Sequence, residues 1–295
     1  MADNRYPNTT IDLLCNRTSC RDFLDKPIAP EMMQSILESG IHAANGGNLQ
    51  PYSIIKIEKR ETRARLADLC GRQSFIADAP TSLMFCIDWH RIERWAKLEG
   101  APFTAADSFK MFWISIQDVV LCAQQMATAA DSLGLGSVYV GFVLEPMLEL
   151  CKLMQLPQGV MPVVMLCLGH PAQKPASAPR LDTEIVVHNE TYRDPPDEQL
   201  LAAFRNKFSH RRQAVTEKTL RQVDEVCRNT EGKAFAQNCL DQIRQTGYTN
   251  AAQTYFNLIY RADTMPQGNK KFVERFEELG FGWFKEWALE AHPEA

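Results

Sequence analysis

Three arginines from two distant parts of the chain, together with amides, hydroxyls and close-set glycines in between, are the residues best suited to chemistry. Arg17, Thr18, Ser19 and Arg21 lie in NRTSCR, and Gly47, Asn48 and Gln50 lie in NGGNLQPY. Val140 and Gly141 end LGLGSVYVG, and Arg180 ends LGHPAQKPASAPR. A guanidinium grips phosphate through two parallel charge-assisted hydrogen bonds, which a lysine does less specifically. Gly46 and Gly47 permit positive φ and let a flat ligand approach the backbone. Asn48 and Gln50 carry the donors and acceptors that can read the polar edge of an isoalloxazine ring. In this order and spacing the segments describe a cradle for a flavin phosphate and ring.

Singly, each has a plainer structural explanation. Arg17–Arg21 fits a solvated charged turn, the glycine pair a helix C-cap, and Arg180 a surface cation. The glycines of LGLGSVYVG end a helix and precede a strand, whereas a dinucleotide fingerprint needs a strand before them and a helix after. Backbone N–H groups around Val140 and Gly141 are the useful feature there, since a donor aimed at flavin N5 orients the ring. No convincing Ser/His/Asp or Cys/His set occurs, so no catalytic side chain is expected and the chemistry falls to the bound group.

The elements that position these residues follow from hydrophobic periodicity. A short helix is expected from Ile11 to about Arg17, capped by Thr9 or Thr10, and another from Pro30 with a stripe at Met33, Ile36, Leu37 and Ile41. Strands are expected at Tyr52–Ile57, Ser82–Ile87, Ser137–Val140 and Val163–Leu168, with helices at Glu61–Leu69 and Pro146–Met154. Asp107–Leu133 is apolar over much of its circumference, which suits either a central core helix or a subunit interface. Strands buried on both faces suit a sheet covered by helices. After Pro195-Pro196 the chain reads as helical, amphipathic and free of obvious strands, with rings including Phe276, Phe281, Trp283 and Trp287 that must be buried against something.

Bulk properties narrow the classes. The 295 residues are 45% apolar and 23% charged with a net charge of −4, an ordinary globular composition that argues against nucleic-acid or anionic-membrane partners. Met1–Asn8 has no signal-peptide core, and Gln117, Asp118, Gln124 and Gln125 interrupt the longest apolar stretch. Nine cysteines form no CxxC pair and the histidines no zinc-ligand spacing, so no metal site is expected and free thiols fit a reducing cytoplasm.

These segments resemble the nitroreductase family of FMN-dependent NAD(P)H oxidoreductases. The likeness runs from Ile11 to Arg180: Arg-x-Ser-x-Arg at Arg17–Arg21, Asn-x-Gln-Pro-aromatic at Asn48–Tyr52, Leu-Gly-x-Gly at Leu133–Gly136, Gly-x-Pro at Gly169–Pro171 followed by Pro179 and Arg180, and FIADAP (Phe75–Pro80) with Gln73 ahead of it. The resemblance implies an α+β, three-layer sandwich with a central mixed sheet flanked by helices, in an intertwined homodimer with FMN at the interface. It implies that Arg17, Ser19 and Arg180 reach the phosphate, with Thr18 in the same segment. Arg21 would lie by the ribityl chain and the N1–O2 edge, and Gly47, Asn48, Gln50, Gln73, Val140 and Gly141 by the ring. It implies hydride transfer from NAD(P)H to a nitroaromatic, quinone, enone or flavin by a ping-pong mechanism. An FMN-binding domain at 9–194 and a helical extension at 195–295, packed on the core or the partner subunit, are expected.

Three departures stand out. Ala44–Asn48 lacks the serines frequent in the family turn, Val140 stands where some members have Glu, and the region after Asp194 is longer than in minimal members. The alternatives are a branch with other flavin chemistry (dehalogenation, flavin breakdown) and a flavin-binding or helical interaction protein. Lys207, His210, Arg211 and Arg212 fit a solvated helix face better than a 2′-phosphate site.

Overall fold

Asn8 starts the first helix, α1 (Thr9–Cys15), by accepting a hydrogen bond from the Ile11 amide through its side chain at 2.9 Å. The cap thus sits just before the expected threonines. A computed structural model describes residues 6–173 and 175–286, so Trp287 lies outside the described residues. The chain forms two compact units, one reaching to Ser177 and resuming at Val273, the other Ala178–Phe272.

In the first unit α2 (Pro30–Ile41) begins with proline at its first turn, where the missing N–H costs nothing. There follow β1 (Tyr52–Ile57), α3 (Arg60–Leu69), α4 (Ser74–Asp78), β2 (Thr81–Asp88), α5 (Trp89–Leu98), α6 (Phe109–Ser132), β3 (Gly136–Val140), α7 (Met147–Met154) and β4 (Val160–Gly169). The strands form one sheet in the order β1-β2-β4-β3, every named pair antiparallel. A parallel element enters through the isolated bridge between Ser19 and Ser137 at the outer edge of β3.

β2 is buried along its whole length. Met84 and Cys86 join Leu66, Ile76, Leu150 and Met165 in one core cluster, on the side covered by α3, α4 and α7. Alternation along the strand sends Leu83, Phe85 and Ile87 to the opposite face, where α6 packs across all four strands. The three-layer expectation therefore holds, with α6 as the central helix of one layer. Its buried residues include Asp118, Cys122, Ala123 and Met126. Past Val273 the chain packs Phe276, Trp283 and Phe284 around Phe112 of α6.

The second unit holds α8 (Thr183–Val186), α9 (Asp197–Lys207), β5 (Gln213–Ala214), α10 (Glu217–Glu231), α11 (Lys233–Thr246), β6 (Tyr248–Thr249) and α12 (Ala251–Thr254). α13 (Asn269–Glu278) begins in it and runs past Val273. Its core joins Val223, Cys227, Ala236, Leu240 and Ile243 across the α10–α11 hairpin. The strand-free expectation fails in one detail, because β5 and β6 form a two-residue antiparallel ladder too short to show a period-2 pattern.

Cys15 is exposed and the other eight cysteines are buried, all as free thiols. Burial pushes the thiols of Cys70, Cys122 and Cys151 up to about 11 and that of Cys167 to about 12, so their nucleophilic thiolate is scarce at neutral pH. A chromogenic disulfide reagent is expected to titrate one thiol rapidly in the native protein and nine in denaturant. Rapid reaction of several native thiols would contradict this packing.

Candidate functional site

The segment after α1 is extended and lies flush along β3. Cys20 N donates to Ser137 O at 2.9 Å, Ser19 pairs with Ser137, and Phe23 pairs with Pro171 farther along. Gly136 makes the close approach possible, because a Cβ there would fall 2.6 Å from Cys20 Cβ. This strip carries the RTSCR residues, and their side chains diverge. Arg17 is half-buried, its Nη2 donating to Ser137 Oγ at 3.3 Å, its Nε 3.8 Å from Asp131 Oδ2, and its guanidinium 5.6 Å from the Tyr139 ring centroid. Its Nε is buried without a hydrogen-bond partner. Thr18 Oγ1 donates to Ala176 O at 3.3 Å. Arg21 is exposed, with its guanidinium 5.7 Å from the Phe75 ring centroid.

Phe75 ties Arg21 to α4, and Gln73 stands directly before that helix as its N-cap residue. Gln73 is half-buried and donates through Nε2 to Cys70 O at 2.7 Å. At the far end of β3, Val140 is buried and Gly141 opens a short 3₁₀ turn. A Cβ at Gly141 would meet nothing within 4 Å, so the space over this backbone is open. The first unit thus links Arg17, Thr18, Ser19, Arg21, Gln73, Val140 and Gly141 through β3 and α4. Arg180 belongs to the second unit, where it is exposed and donates to Ala178 O at 3.2 Å.

NGGNLQPY is built differently. Gly47, Asn48 and Gln50 all take left-handed backbone, with φ of 60°, 57° and 49°. Asn48 is exposed, and its amide makes no hydrogen bond among the described residues. Gln50 is committed inward, its Nε2 donating to Ile41 O at 3.0 Å and to Tyr52 Oη at 3.1 Å. The loop is tied to α6 rather than to β3, because Gly46 N donates to Asp118 Oδ1 at 2.9 Å. Burial raises the Asp118 carboxyl above its usual range, the Gly46 hydrogen bond partly opposing this. Burial likewise raises the Tyr52 phenol.

Two residues outside the motifs hold this loop: Asp118, and Arg91 on α5. α5 itself was absent from the sequence-based elements. A polar residue inside an apolar helix was the available signal for Asp118, which served only as an argument against a membrane span. Among the described residues no group of three or more His, Cys, Asp or Glu could hold a metal, and no helix is long and apolar enough to cross a membrane.

Residues 14–170 match the nitroreductase family. The chain is 36% identical to an oxygen-insensitive NADPH nitroreductase of Salmonella typhimurium over 66% of this chain and 79% of that one. It is 34% identical to an NADPH-flavin oxidoreductase of Vibrio harveyi, over 63% of this chain and 76% of that one. The solved NADPH:FMN oxidoreductase of Vibrio harveyi, complexed with NAD+, superposes with a TM-score of 0.70 at 26% identity, covering 95% of this chain and 100% of that one.

Proposed function

Because this chain belongs to the nitroreductase family, we propose that it is an FMN-dependent oxidoreductase that draws hydride from NAD(P)H and passes it to a nitroaromatic, quinone, enone or flavin acceptor. The observation that carries this is the open backbone at Gly141, directly after the strand that the RTSCR strip flanks. A flat ring needs such uncovered backbone, and an anionic tail needs the cations beside it. Bound FMN supplies the hydride chemistry, so the chain's task is binding, orientation and electrostatics.

Arg17, Thr18 and Ser19 would hold the phosphate end, the role the family resemblance also gives Arg180, with the Arg17 Nε held 3.8 Å from Asp131 Oδ2. Arg21 is the exposed cation for the reduced ring edge, its guanidinium braced on Phe75. Gly141 and Val140 would present backbone at one edge of the ring and Gln73 its amide. Gly47, Asn48 and Gln50 would meet the ring from the other loop, Asn48 with a free amide and Gln50 with its uncommitted Oε1. Residues 9–194 form the FMN-binding part on this reading, and 195–295 the extension.

A homodimer fits the surface. Trp113, Val120 and Leu121 of α6 and Ile11 and Leu14 of α1 are exposed apolar residues. A groove of about 650 Å³ lies between α1, α2 and α6, lined by Leu13, Leu121 and the aliphatic parts of Gln124 and Thr128. Covering such a face with a second copy removes apolar surface from water.

Steady-state oxidation of NADPH with a quinone tests the reaction. Parallel double-reciprocal lines are expected for a donor and acceptor that use one site in turn. Intersecting lines would contradict the ping-pong order, and absent turnover would contradict the oxidoreductase assignment in favour of a flavin-binding protein or another flavin chemistry.

A further inference from the structure

Left-handed backbone is disfavoured for residues with a Cβ, less so for asparagine than for glutamine. Such residues persist where the surroundings over-determine them, and they gather at binding sites. The loop before β1 holds two of them, Asn48 and Gln50, beside left-handed Gly47. Glycine permits that shape and asparagine tolerates it, but nothing in the sequence favours it at Gln50. The restraint comes from outside the loop, at both of its ends.

At the entry, Asp118 reaches out of α6 and accepts the Gly46 amide at 2.9 Å. Asp118 is 3% exposed, and its second oxygen is buried with no hydrogen-bond partner among the described residues. A buried carboxylate with an unmet oxygen is expensive, so a residue of this type is not placed here for stability alone. At the exit, Arg91 Nη2 donates to Gln50 O at 2.9 Å and to Tyr52 O at 2.6 Å. Arg91 is itself oriented by Asp88, whose Oδ2 lies 3.6 Å from Arg91 Nε. Asp88 also caps α5 by accepting from Arg91 N at 2.9 Å, and it accepts from Ser53 Oγ. The strained stretch is therefore gripped by an anion on its first amide and a cation on its last carbonyl.

We propose that Asp118 and Arg91 are positioning residues for the flavin site, acting through the loop rather than on the ligand: they clamp Gly46 and Gln50 so that Asn48 is presented in its left-handed conformation. The proposal rests on the FMN reading above. Losing either grip frees the loop to relax toward right-handed backbone, which withdraws Asn48 from the ring edge.

The test compares Asp118→Ala, Asp118→Asn, Arg91→Ala and Arg91→Lys with the unchanged protein. The readouts are FMN dissociation constant, visible circular dichroism of bound FMN, kcat and KM for a quinone, and melting temperature. Removing the acceptor of the Gly46 amide is expected to weaken FMN binding about tenfold and to change the visible dichroism in Asp118→Ala. Asp118→Asn keeps an oxygen for the Gly46 amide and should restore binding to within about threefold of the unchanged protein. Arg91 has a half-exposed side chain, so Arg91→Ala is the variant that keeps the fold if Asp118→Ala does not. It should show the same dichroism change, and Arg91→Lys should recover part of it. Variants that melt lower yet bind FMN with unchanged affinity and dichroism would overturn the proposal while leaving the FMN reading intact. An unchanged protein that takes up no FMN would overturn both.

Discussion

Replacing Trp283 with alanine should lower the stability of the protein by about 3–5 kcal/mol, the usual cost of removing a buried aromatic ring. Trp283 is 2% exposed. Its ring centroid lies 4.0 Å from that of Phe281, 4.6 Å from that of Phe112 and 5.5 Å from that of Phe276. Among the described residues the buried indole N–H has no hydrogen-bond partner, so the loss on truncation is one of packing. Urea unfolding reads the effect as a lower midpoint at constant slope. Trp283→Phe should recover a large part of the loss because it keeps a ring on Phe112. An unchanged midpoint in Trp283→Ala would mean that the segment after Val273 does not pack on α6.

A second large effect is expected at Gly136, where the need for glycine is steric rather than conformational. The added Cβ would lie 2.6 Å from Cys20 Cβ and 2.8 Å from Cys20 Sγ. Cys20 Cβ is fixed to the backbone and cannot swing aside, and Cys20 is itself 1% exposed. Gly136→Ala must therefore push the RTSCR strip off β3 and strain the 2.9 Å hydrogen bond from Cys20 N to Ser137 O. Overpacking of this kind costs about 1–3 kcal/mol. Since the strip carries Arg17, Ser19 and Arg21, FMN affinity should fall with stability, by about tenfold for each 1.4 kcal/mol transmitted to the site. Stability that falls while FMN affinity stays constant would show that the strip does not hold the cofactor.

The fold was legible where burial and periodicity agree. The stripe of Met33 and Ile36 in α2, the buried run of β2 and the long apolar α6 each state their element directly. Boundaries were less exact, because caps decide them: Asn8 starts α1 ahead of the expected threonines, and Ser108 starts α6 by accepting from Met111 N. α5 was missed because its cap, Asp88, closes an apolar strand, so the helix begins without a loop to announce it.

The site was legible as motifs and not as geometry. The order of NRTSCR, NGGNLQPY and LGLGSVYVG was readable, and so was the permissive Gly47. The orientation of Arg17 was not, because it depends on Asp131 and Ser137, which lie more than a hundred residues away. The inward commitment of Gln50 depends on Ile41 O and the Tyr52 hydroxyl. Asp118 and Arg91 escaped because they touch the loop backbone, which no side-chain motif records.

The most direct measurement is the visible spectrum of the purified protein after incubation with FMN and removal of free ligand. A yellow protein carrying close to one flavin per chain is predicted, with the ratio falling sharply in Arg21→Ala. A protein that stays colourless would contradict the claim that these separated segments form a cradle for the cofactor.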